Sequence, residues 1–230
     1  MKRLLIIIVA LSILAVGSTS AQMMGPGYGG NGGYGGMMGG WWNSPPPENA
    51  KALKIDQVAE DVNNYLKSYW NPDLKLAEVW EFDNQFYAEM REKDTGVGAF
   101  ELLINKWTGA IVPEPGPNMM WNTKYGHMGA GMMGGPEWGW GGRGGYRGWG
   151  NPTKDMPVTA EQARQYGQQL LDAQLPSTTV EKNPDTFYGY YTITVLDKDG
   201  KVYGMLGVNG YSGWVWYHQW HGKFIAMKEY

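Results

Sequence analysis

Between residues 55 and 69 the apolar side chains fall at steps of three and four: Ile55, Val58, Ala59, Val62, Tyr65, Leu66 and Tyr69. Asp56, Glu60, Asp61, Asn63, Asn64 and Lys67 fill the gaps. At 3.6 residues per turn this gathers one apolar stripe, so the stretch predicts a helix buried on one side. Asn71-Pro72 ends it, because the residue before a proline is pushed away from helical dihedrals. A second run, "AEQARQYGQQLLDAQ" from 160 to 174, turns Ala163, Tyr166, Leu170 and Leu171 inward, with Thr159 as N-cap and Pro176 beyond its end.

Strand-like patterns follow each helix. "LKLAEVWEF" (74–82), "QFYAEM" (85–90), "GAFELLI" (98–104) and "AIV" (110–112) are separated by turn residues; the second set is "TTVEKN", "YGYYTITVL", "VYGMLGV" and "WVWYHQW". The two sets align at a shift of 104 residues, which pairs Leu66 with Leu170, Leu102 with Leu206, Asn105 with Asn209 and Gly109 with Gly213. One strand departs from that shift. Moved by one further residue, Phe86, Ala88 and Met90 meet Tyr191, Ile193 and Val195 and keep their apolar face, which assigns "KDTG" one more loop residue than "KDG". The expectation is therefore an α+β chain of two tandem repeats, each one helix on a small antiparallel sheet of three to four strands, related by a pseudo-two-fold axis. A shared aromatic seam is expected from Trp80, Trp107, Trp121, Tyr211, Trp214 and Trp216.

"NKWTG" and "NGYSG" read as hairpin turns. Asn and Gly tolerate positive φ, and the intervening Thr or Ser can bond back to the main chain, so Asn105, Gly109, Asn209 and Gly213 are structural turn residues.

Composition marks the boundaries. Residues 1–21 carry Lys2 and Arg3, an apolar run from Leu4 to Gly17 and a small-residue end at Ala21, the pattern of a cleaved signal peptide. Residues 22–50 and 122–156 are rich in Gly with Met and Trp; they read as a disordered segment and a linker, leaving repeats at 51–121 and 157–230. The expected location is extracytoplasmic, periplasmic or secreted, with no stable membrane span after cleavage. There is no Cys, so burial rather than disulfides must stabilise the fold, and the net charge of −3 gives no general attraction for nucleic acid.

A helix followed by "FYAEM…TGVGAFELLINKWTGAIV", and again by "YYTITVLDKDGKVYGMLGVNGYSGWVW", resembles the PepSY domain family over roughly 53–113 and 157–217. The family's usual turn Asp is Asn105 and Asn209 here. The resemblance implies an extracytoplasmic, non-catalytic binding or inhibitory module whose partner is an envelope protein or peptide, a peptidase among the candidates. It brings no catalytic residues, and "HExxH" is absent from this chain.

Candidate chemistry is sparse. Met119-Met120 and Met132-Met133, with His127 and Met128 beside the latter, offer thioether ligands to a soft ion, so Cu(I) or Ag(I) is the one cofactor suggested. His218 and His221, three apart in an aromatic stretch, are expected to point oppositely on a strand with their tips in water. Glu78, Glu81, Glu89 and Glu101 are expected on the wet face of strands. No positioned nucleophile, elbow motif or phosphate-cradling loop is present, so the chain is not expected to be an enzyme.

Overall fold

A computed structural model describes residues 48–68, 71–126 and 154–230. The first helix, α1 (Ile55–Ser68), buries Val58, Ala59, Val62 and Leu66, the predicted stripe. It covers one face of a five-stranded antiparallel sheet built from β1 (Leu74–Phe82), β2 (Gln85–Glu92), β3 (Gly98–Asn105) and β4 (Ile111–Pro113). Under α1 lie Leu74, Leu76, Val79, Phe86, Ala88, Met90, Phe100, Leu102 and Ile104. A short helix, α2 (Pro117–Met120), follows β4.

The second unit opens with α3 (Ala160–Gln174), capped as expected: Thr159 Oγ1 accepts from Gln162 N–H while the Gln162 side chain accepts from Thr159 N–H. It packs on the second sheet, formed by β5 (Thr179–Val180), β6 (Asp185–Thr186), β7 (Tyr190–Leu196), β8 (Val202–Asn209) and β9 (Val215–Tyr217). Ala163, Leu170, Leu171, Tyr191, Ile193, Val195, Leu206 and Val208 make its core. The one-residue strand adjustment is right: Phe86, Ala88 and Met90 face the first helix, and Tyr191, Ile193 and Val195 face the second.

The two turns share one bonding pattern. Asn105 Oδ1 accepts from the N–H groups of Trp107 and Thr108, and Asn209 Oδ1 from those of Tyr211 and Ser212, all at 2.9 Å. Gly109 and Gly213 then sit at φ 71° and 74°, the left-handed region that glycine adopts freely.

Two expected strands need correction, and a further strand joins the first sheet. "TTVEKN" is not one strand: β5 and β6 pair separately with β7, because the chain bends away between them. "WVWYHQW" leaves its sheet after Tyr217, and residues 218–223 cross to the first sheet. There β10 (Phe224–Glu229) pairs antiparallel with β1, Val79 facing Lys228 and Trp80 facing Met227. The first sheet thus runs β10-β1-β2-β3-β4, borrowing a strand from the second half of the chain.

The helix-free faces of the two sheets pack together. Tyr190 and Thr192 of β7 reach Glu101 of β3, and Met205 of β8 joins Trp80, Phe82, Tyr87 and Leu103. The aromatic expectation holds only in part. Trp80 lies in this seam and Trp121 meets Trp216 edge-on at 5.9 Å, but Tyr211 and Trp214 are exposed. Among the described residues no helix is long and apolar enough to cross a membrane.

Candidate metal centre

Alternation along β2 and β3 turns Tyr87, Glu89, Arg91 and Glu101 away from α1. On an uncovered sheet these side chains would meet water, which is the sequence expectation for Glu89 and Glu101. The second sheet covers them instead, and both carboxylates are fully buried. Glu101 accepts from Tyr87 Oη at 2.8 Å, Tyr190 Oη at 2.7 Å and Thr192 Oγ1 at 3.0 Å. Main-chain support comes from Asn118 of α2, whose side chain bonds both the N–H and the C=O of Glu101.

Toward one side of the seam, Arg91 bridges Glu89 and Asp185, tying the first sheet to β6. Glu78 completes a cluster in which ligand-type oxygens of Glu78, Glu89 and Asp185 lie within 4.8 Å of one another. One guanidinium cannot neutralise three carboxylates. Burial pushes Glu78 up to about 7, with the Asp185 charge adding, and raises Glu89 well above the ordinary carboxyl range. Arg91 already places a cation between two of these carboxylates, which distinguishes this cluster from one with no cation of its own, although Glu89 Oε2 has no hydrogen-bond partner.

Farther along the seam the chemistry differs. Glu114 follows β4, its N–H donating to Glu101 O at 2.9 Å and its C=O accepting from Asn118 Nδ2. His218 and His221 come from the segment that crosses between sheets. Their side chains and that of Glu114 are at most 1% exposed. His221 Nε2 lies 2.9 Å and His218 Nδ1 3.4 Å from Glu114 Oε1, and one ligand atom of each residue falls within 4.8 Å of the others.

The surrounding residues fix these rings. His221 stacks on Phe82 at 4.4 Å and meets Tyr87 edge-on, while Gln85 Nε2 lies 3.1 Å from its Nδ1. His218 stacks on Trp220 at 4.7 Å, and Trp220 Nε1 donates to Glu114 Oε1 at 2.8 Å. Yet Glu114 Oε2, both ring nitrogens of His218 and Nε2 of His221 have no hydrogen-bond partner. Close approach without N–H alignment leaves these buried atoms unsatisfied. Burial alone would raise the Glu114 carboxyl, but the proximity of the His218 and then the His221 ring outweighs it and lowers Glu114 below the usual carboxyl range. Burial lowers His221, favouring the neutral imidazole that a metal requires.

The expected strand geometry for the two histidines is therefore overturned. The chain leaves β9 after Tyr217, so the period of two no longer applies, and both rings converge inward. Of the Met-type candidates, Met119 is half-buried and Met120 is 51% exposed on α2, apart from this triad's ligand set. His127, Met128, Met132 and Met133 lie outside the described residues.

No protein-family model matches the chain, and no curated protein matches it. Among solved structures, the Bacillus megaterium YpeB C-terminal domain is similar over 72% of this chain, at 9% sequence identity and a TM-score of 0.23. The similarity spans 62% of that domain, less than two thirds of its length.

Proposed function

We propose that this chain is an extracytoplasmic, PepSY-like binding module that holds one divalent transition-metal ion, of the zinc class, between Glu114, His218 and His221. The carrying observation is a buried two-histidine, one-carboxylate set in which Glu114 Oε2, both nitrogens of His218 and Nε2 of His221 make no hydrogen bond. Each unsatisfied buried polar atom costs about 1–3 kcal/mol, and a coordinated ion would offset several at once. Imidazole and carboxylate suit Zn(II) or Co(II), whereas Cu(I) and Ag(I) prefer thioether sulfur. The role is read as non-catalytic because side chains this enclosed leave substrate no route to the ion, and a catalytic metal needs an open coordination position. The matched bonding of the two Asn-to-Gly turns supports reading the units as duplicated copies, and the signal-peptide-like sequence pattern of 1–21 supports export.

Titrating the metal-free full-length chain with Co(II) tests this directly. We expect visible d–d absorption at one equivalent, displaced by Zn(II), and lost in His218→Asn and His221→Asn chains that keep the circular dichroism of the parent. Deleting 22–47 and 127–153 should leave it intact. No Co(II) absorption by the intact chain removes the reading. Cu(I) binding that vanishes with the spacers would favour the methionine alternative instead.

Engagement of an envelope protein or peptide is a second reading, favoured by one observation: β10 is an edge strand whose Ile225 and Met227 are 53% and 42% exposed. Such binding would persist with both histidines replaced.

A further inference from the structure

The metal triad lies where the chain changes sheets. His218 and His221 belong to the strap of residues 218–223, which leaves β9 of the second sheet and delivers β10 to β1 of the first. Glu114, by contrast, is anchored to the far side of the first sheet through its bond to Glu101 and through Asn118.

The strap is held at its start by His218 N–H donating to Met205 O of β8 at 3.0 Å and in its middle by Trp220 Nε1 on Glu114, and beyond these at the β1–β2 turn. Trp220 O accepts from Asn84 Nδ2 at 2.9 Å and from Gln85 Nε2 at 3.2 Å. Gly222 N–H donates to Asn84 Oδ1 at 3.0 Å and Lys223 N–H to Asp83 Oδ1 at 2.8 Å, while Asp83 N–H donates to Lys223 O. Beyond the strap, β10 is lightly secured. Most of its side chains are exposed, and its hold is the ladder with β1, the Lys228–Asp56 pair at the surface, and Phe224, whose ring meets Trp80 at 5.3 Å and Phe82 at 6.1 Å. A surface ion pair adds little to such a strand, on the order of 0–1 kcal/mol.

We infer that the ion at Glu114, His218 and His221 acts as a latch: binding pins the strap to the first sheet and thereby closes β10 over the edge of β1, while metal loss frees the strand. This rests on the metal reading above and extends it to regulation of that site. Glu114 is on the first sheet, His218 is tied by its N–H to Met205 of the second, and His221 lies farther along the strap, so coordination can only be completed with the strap in place. By linkage, whatever requires the closed strap to bind must in turn favour closure. Opening would bare the main-chain edge of β1 and uncover Trp80 and Phe82, a surface ready to accept another strand.

Amide hydrogen exchange on the full-length chain, metal-free and with one equivalent of Zn(II), tests the latch, with Co(II) absorption as a separate gauge of occupancy. We expect exchange in 78–82 and 223–229 to slow at least tenfold with Zn(II), while 191–195 and 205–208 change less than twofold. His221→Asn should lose the effect. Co(II) binding without local protection overturns the latch and leaves the metal site standing. Protection spread evenly over both sheets also overturns it, since that is global stabilisation. Failure to bind Co(II) overturns both.

Discussion

At the scale of single residues, the seam depends on hydroxyl donors aimed at a carboxylate that has no cation of its own. Tyr190 is fully buried and its Oη lies 2.7 Å from Glu101 Oε2. Removing that donor leaves part of a buried carboxyl unsatisfied, so Tyr190→Phe should destabilise the chain by about 1–3 kcal/mol. Tyr203, 48% exposed on β8, should tolerate the same change within about 0.5 kcal/mol. Urea midpoints for the two variants check this; equal shifts would mean the hydroxyl contributes nothing at the seam. The turn residues Asn105, Gly109, Asn209 and Gly213 were legible in the sequence because their chemistry is local. His218 and His221 were not. Their partner Glu114 lies over a hundred positions earlier, and their convergence depends on where β9 stops. A hint existed in Glu89 and Glu101, charged positions placed inside otherwise apolar strands, which a second covering sheet explains.

Among the elements, those written by a repeating pattern emerged as expected. α3 begins at its Thr159 capping box, and Thr159→Ala should cost about 0.5–2 kcal/mol, read as a lower urea midpoint with unchanged slope. A midpoint unmoved by the change would show that tertiary packing alone sets that end of the helix. β10 was the element missed. "FIAMKE" alternates only weakly, and what makes it a strand is the open edge of β1, a partner far away in sequence. Likewise "TTVEKN" carries β-forming residues, yet it yields only two short pairings with β7.

Across the whole molecule, burying an acidic seam ties stability to pH. Glu78, Glu89 and Asp185 all titrate above their ordinary values in the fold, chiefly through burial, with Arg91 only partly offsetting. The folded state therefore holds protons that the unfolded chain releases above the ordinary values of 3.8 for Asp and 4.5 for Glu. Their stabilisation is full below those values and is lost as pH rises through about 7 for Glu78. Glu92 works in the opposite sense. Burial opposes its ionisation, but hydrogen bonds from Lys124, Thr95, Tyr125 and Tyr188 hold it at about 2, so its contribution is present above 4.5 and fades toward pH 2. His221, lowered by burial, acts in the opposite sense as pH rises through 6.5, so the seam is read as a difference: with chelator present, the melting temperature of Glu89→Gln relative to the parent should rise from pH 5 to pH 8. A difference that does not change with pH would clear the seam of responsibility.

The borrowed strand also governs how the molecule can be made and dissected. During synthesis β1 is finished long before β10 exists, so the first sheet waits with one margin bare until the tail arrives. Cutting the chain at its glycine-rich middle would not yield two self-sufficient halves: one fragment would lack its outermost strand, and the other would carry an orphan tail seeking a foreign host.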